Sequence, residues 1–267
     1  MKLVKGYCFV FFLLSTSPLF AQVTPPGLDG TQATGWVAVA FNQELGKNLT
    51  LIAYGGMGRM SDPDSWALLH KPSIKIYNQE FQYKFSNRWQ LSLVQSFRVQ
   101  NLYAKKEPYE AEDPAHRYEI RYYARLYHKH NLGKTVATYS FRPEIRTFYT
   151  PSWEPASRPL ELRFRLKGQL SVPLNANKTN FIIVANEVLT ALTEHRVEAP
   201  SDRRHTWTPY RFTEDRLALY FRHVFTKADV TLNVGVMEQF RSGDFLKPVS
   251  HLAFDVSFQN PFSRHSD

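Results

Sequence analysis

The sequence predicts an all-β protein: an up-and-down antiparallel transmembrane β-barrel of about twelve strands, with ten as the fallback. Three observations predict it. Stretches with strict two-residue alternation recur along the chain. Short polar turns alternate with longer polar loops. No long apolar run follows the N-terminal segment, so a helix bundle cannot carry the chain into a membrane.

The N-terminus, MKLVKGYCFVFFLLSTSPLFAQ, has the build of a secretory signal over residues 1–21. Lys2 and Lys5 form a positive segment, Tyr7 to Leu14 an apolar one, and Ala21 suits the cleavage position. The single cysteine, Cys8, lies inside it, so the mature chain is expected to hold no disulfide and no thiol site. Cleavage would lower the formal charge from +9 to +7, since Lys2 and Lys5 are the charges removed. Residues 22–35, with Pro25, Pro26, Gly27 and Gly30, read as a leader. The barrel is expected over 36–262 and a short tail over 263–267.

Five hairpins follow in order. WVAVAFNQEL turns through GKN into LTLIAYGGMGR, and IKIYNQEFQYKF through SNR into WQLSLVQSFRVQNLY. HRYEIRYYARLYHKH turns through NLGK into TVATYSFRPEIRTFY, and LELRFRLKGQLSVPL through NANKTN into FIIVANEVL. EDRLALYFRHVF turns through TKA into DVTLNVGVMEQF, and HLAFDVSFQNPF stands alone near the end. Asn and Gly in the short connections favour hairpin turns. The count is eleven, whereas bacterial barrels prefer even numbers. Trp66 to Leu69 and the leader are the candidates for a twelfth strand.

Parity sorts the side chains. In Leu160 to Leu174 the leucines and Phe164 share one face, and Glu161, Arg163, Arg165 and Lys167 share the other. In a membrane barrel the apolar face meets lipid and the charged face fills the lumen. The expected lumen-lining network is Glu80, Arg98, Arg117, Glu119, Arg121, Arg125, Arg142, Glu144, Arg146, Glu161, Arg163, Arg165, Glu187, Arg216 and Arg222. Charges taken out of water need partners, and arginines outnumber glutamates here. Trp89, Tyr103, Tyr149, Phe225 and Phe262 sit toward strand ends, where an aromatic girdle belongs.

The stretch from Gly58 to Phe81, GRMSDPDSWALLHKPSIKIYNQEF, resembles a group of secreted Bacteroidetes proteins catalogued as domain of unknown function 2490. So do FRPEIRTFYTP, ELRFRLKGQLSVPL and HLAFDVSFQNPF. The resemblance implies an outer-membrane barrel and no known activity.

No Gly-x-Ser-x-Gly elbow is present. His128 and His130 beside a turn read as interfacial, and Asp62 and Asp64 as turn residues without EF-hand spacing. No catalytic residue, metal or cofactor is therefore expected. The basic residues are spread over alternating strands, which argues against nucleic acid. The expected partners are outer-membrane lipid and lipopolysaccharide. The expected function is a non-enzymatic outer-membrane barrel, structural or a narrow pore. The alternatives are an outer-membrane enzyme acting on lipid or envelope glycan, and a soluble periplasmic β-barrel that binds a ligand.

Overall fold

The computed structural model describes residues 25–199 and 202–263. The signal expected over 1–21 and the final residues of the tail lie outside the described residues. Twelve strands form in chain order: β1 (Ala33–Glu44), β2 (Leu49–Met60), β3 (Lys71–Lys84), β4 (Trp89–Tyr103), β5 (Ala111–Leu132) and β6 (Thr135–Tyr149). The second half supplies β7 (Pro155–Pro173), β8 (Asn180–Ala199), β9 (Asp202–Trp207), β10 (Arg211–Phe225), β11 (Val230–Arg241) and β12 (Asp244–Gln259).

Eleven of them close a barrel, and β9 stays outside it. All neighbours in the wall are antiparallel except one pair. β1 meets β12 in parallel, with Ala38 opposite Asp255 and Ala40 opposite Ser257. Oddness forces this: in an up-and-down meander the first and eleventh strands point the same way. The expected twelve is thus replaced by eleven, and the all-antiparallel wall by one with a parallel seam. Trp66 to Leu69 is no strand; the Leu68 carbonyl accepts from the Gly35 N–H at 3.2 Å. The twelfth strand lies instead in the long loop before β10. The β8–β10 ladder ends at Ala191, and past it β8 pairs with β9 from Glu194 to Ala199.

Short turns gather at one mouth and the longer connections at the other, except that β11 and β12 join at the long-loop mouth through Ser242 and Gly243 alone. Between β5 and β6 only Gly133 and Lys134 intervene, and Gly133 takes φ +63°, a conformation that favours glycine in tight hairpins.

Alternation is kept along the wall. On β1, Trp36, Ala38, Ala40 and Asn42 are buried while Val37, Val39 and Phe41 are exposed. On β7, Arg163 and Arg165 are buried while Leu166 is 62% exposed. The interior has two halves. Against β1, β3 and β10–β12 it is packed with Trp36, Ile76, Tyr220 and Met237, with small residues facing them. Gly56 lies under the Trp36 ring and Gly235 under Tyr220, so close that no Cβ fits at either position. Against β4–β8 the interior is charged.

The candidate functional site: a charged lumen

The charged half begins with Glu119, which faces inward from β5. Arg121 on the same strand grips both of its oxygens, through Nε to Oε1 and through Nη2 to Oε2 at 3.1 Å. Arg146 on β6 does the same, with Nε to Oε1 at 2.8 Å and Nη2 to Oε2 at 3.1 Å. Arg146 also reaches Glu161, which Arg163 holds at 2.9 Å. Arg163 reaches on to Glu214 at 3.3 Å, and Arg216 pairs with both Glu214 and Glu187. A second row runs beside the first. Glu144 receives Arg142 at 2.8 Å, Arg165 and Arg121, and Arg165 continues to Glu187 at 3.4 Å. The result is a lattice of alternating charge across five adjacent wall strands, β5 to β8 and β10. It meets the demand that buried charges be paired, and bidentate guanidinium–carboxylate contacts such as those on Glu119 are the strong form of that pairing.

The remaining residues of the expected network sit apart from this lattice. Arg125 lies 3.9 Å from Glu80 and between the rings of Tyr123 and Tyr127. Arg222 faces inward lower on β10, where its Nε donates to Asn233 at 2.8 Å beside Asp255. Arg117 donates to Gln100 at 3.0 Å and lies over the Phe148 ring. Arg98 is 6% exposed and makes neither a hydrogen bond nor an ion pair among the described residues.

Sequence reasoning passed over Glu214, although it shares the parity of Arg216 two residues on. It also passed over the leader. Pro25, Pro26 and Leu28 are buried, and the segment enters the lumen from the long-loop mouth. The Leu28 N–H donates to Gln239 at 3.0 Å, and Gly27 packs against the side chains of Arg216, Gln239 and Glu214. At the rim Asp29 meets Arg241, with Lys105 at 3.5 Å. Partial burial pushes the Asp29 carboxyl up, but the hydrogen bond and charge of Arg241, with Lys105, outweigh it and hold the group below its ordinary range.

A cavity of ≈ 550 Å³ remains within the lumen. Its lining runs from Gln90, Lys129 and Gln169 in the turn half to Asp29, Arg241 and Ser242 at the loop rim. Twelve arginines and two lysines line it against one aspartate and four glutamates. The arrangement presents fixed positive charge to whatever enters. His251, the buried histidine of the other half, contacts Thr34 at 2.6 Å and Gln239 at 3.2 Å, not a carboxylate.

The outer face is apolar. Leu93, Tyr122, Phe141, Leu166, Leu217, Leu219, Val236 and Leu252 are exposed along it. Tyr83, Phe85, Trp89 and Phe225 ring the turn end, and Trp66, Trp153, Trp207 and Tyr210 the loop end. Polar side chains on this face bond one another: Gln79 with Gln95 at 2.7 Å, and Asn186 with Asp215 at 2.6 Å.

Comparison with known proteins gives three findings. The family described as "Protein of unknown function (DUF2490)" matches residues 33–244. The fold is similar to LpxR from Salmonella typhimurium, with a TM-score of 0.41 and 10% identity over 81% of this chain and 84% of that one. It is also similar to the siderophore receptor PirA from Pseudomonas aeruginosa, with a TM-score of 0.29 and 12% identity over 75% of this chain and 32% of that one. No curated protein matches the chain.

Proposed function

The chain belongs to the DUF2490 family, and from that premise we propose a non-enzymatic outer-membrane barrel that admits small anions into a narrow, arginine-lined lumen. The family's description gives no function, so the reading rests on geometry. Membrane placement is supported by the outer face. A continuous apolar belt between two aromatic rings is what hydrocarbon and its interfaces require, and it far exceeds the apolar patches tolerated in water. The single observation that carries the anion reading is the lining itself, where cations outnumber carboxylates by nearly three to one. Low-dielectric walls focus that surplus on entering ions. The leader segment, pinned in the loop mouth by Asp29 and Gln239, narrows the way in.

Two measurements test it. Cell fractionation should return the protein with the outer membrane, migrating faster unboiled than boiled; release by osmotic shock without detergent sinks the membrane placement. In planar bilayers under a potassium chloride gradient, the reversal potential should take the sign of anion selectivity. Silence at all voltages rejects passage.

A further inference from the structure

Arg98 projects inward from β4 and stands opposite Glu119 in the β4–β5 register. Glu119 is the obvious partner, yet Arg121 and Arg146 occupy both of its oxygens with two contacts each. The Arg98 guanidinium is left buried, its Nε without any acceptor. A buried cation that feels Glu119 only through space and touches no counter-charge is costly. The lattice around it shows that this protein otherwise supplies each buried arginine with a carboxylate or a hydrogen-bond acceptor.

Arg117 sits diagonally across, two residues along β5, where its register partner is Gln100. It makes one hydrogen bond, to Gln100, and its Nε is also buried without an acceptor. The Phe148 ring lies 4.9 Å from its guanidinium carbon and fixes its plane. Both arginines line the lumenal cavity, beside the apolar side chains of Ile52 and Ile74. The two guanidinium groups stand on adjacent strands and both line the cavity; their Nε atoms are buried, so an anion in the lumen meets the Nη edges, which suit a carboxylate or phosphate.

We infer that Arg98 and Arg117 form a lumenal oxyanion site that takes the carboxylate or phosphate group of a small anion. The site deepens the lumen reading above and rests on it, because the anion must enter the lumen to reach Arg98. Occupancy supplies the direct contact that Glu119, held by Arg121 and Arg146, does not make. The bound anion is part of the folded barrel's stability, and it leaves when the medium holds none.

The test uses the full chain, purified in detergent and exchanged into sodium chloride. Sodium phosphate and sodium acetate are then titrated at matched ionic strength, with thermal unfolding read from gel mobility. Saturating anion should raise the midpoint by about 3 °C. Calorimetric titration should show one site, weakened about tenfold or more in Arg98→Met and less in Arg98→Lys. In chloride alone Arg98→Met should be at least as stable as the parent, since it removes an unpaired charge. A response to acetate alone assigns a carboxylate, and a response to phosphate alone a phosphate. Equal midpoints in all three salts overturn the site, as does an undiminished response in both Arg98→Met and Arg117→Gln. Bilayer silence with a retained midpoint shift rejects passage while keeping the site.

Discussion

Arg146 and Glu119 face each other across β5 and β6 with two parallel contacts, at 2.8 and 3.1 Å. Arg121 shares the same carboxylate. Removing that one charge leaves Arg146 with Glu161 alone and Arg121 with only the longer contact to Glu144, beside Arg98, which touches no carboxylate. Glu119→Gln keeps the shape and deletes the charge. It should cost about 3–5 kcal/mol of stability, the usual penalty for breaking a buried pair from one side. Urea titration of the refolded barrel checks this; a loss under about 1 kcal/mol would show that lumenal water screens the lattice.

The outer belt gives a second prediction. Leu166 points outward and is 62% exposed. If hydrocarbon covers it, Leu166→Arg should destabilise the barrel in lipid by about 2–4 kcal/mol near the bilayer midplane. On a water-facing surface the same change should stay within about 0.5 kcal/mol. Refolding yields in phosphatidylcholine vesicles separate the two outcomes.

A third prediction concerns space inside the apolar half. A Cβ at Gly235 would run into the Leu219 carbonyl and the Tyr220 ring. At Gly168 a Cβ would meet nothing within 4 Å. Gly235→Ala should therefore cost about 1–3 kcal/mol through overpacking, whereas Gly168→Ala should be tolerated. Equal unfolding midpoints for the two variants would contradict the packing of Tyr220.

The fourth follows from the Asp29–Arg241 contact at the rim. A carboxyl whose value is depressed in the folded state supports the tether above its ordinary value and loses it as pH falls through the depressed one. The ordinary value is 3.8, so the contact should persist from pH 8 to pH 5 and weaken only below 3.8. Asp29→Asn should free the leader at neutral pH. Single-channel recordings should then show larger or noisier conductance in the variant at pH 7, and in the parent only in acid.

Much of the wall was legible in the sequence because strand parity is written directly in residue order. Arg163 and Arg165 against Leu162 and Leu166 specify two faces whatever the partner strand is. All eleven stretches became barrel strands, and several run further toward the long-loop mouth than their alternation suggested. Parity says nothing where both faces are apolar. Trp36, Ala38 and Ala40 turn inward and Val37, Val39 and Phe41 outward, and no contrast between them marks the sides. Hence the packed half of the interior was not foreseen. Pairing direction is equally silent: nothing in HLAFDVSF tells whether its neighbour runs with it or against it. The leader misled because two prolines suggest a connector, whereas at this position they fill the lumen mouth. The isolation of Arg98 depends on which arginines reach Glu119 first, and that is a matter of register.

The parallel seam between β1 and β12 also restricts how this cylinder can change size. Hairpins enter or leave a meander two strands at a time, so each such event preserves the remainder on division by two. A relative widened by whole hairpins would inherit the same seam. One whose first and last strands run head to tail must have gained or lost a lone strand, and with it moved one chain end to the opposite opening.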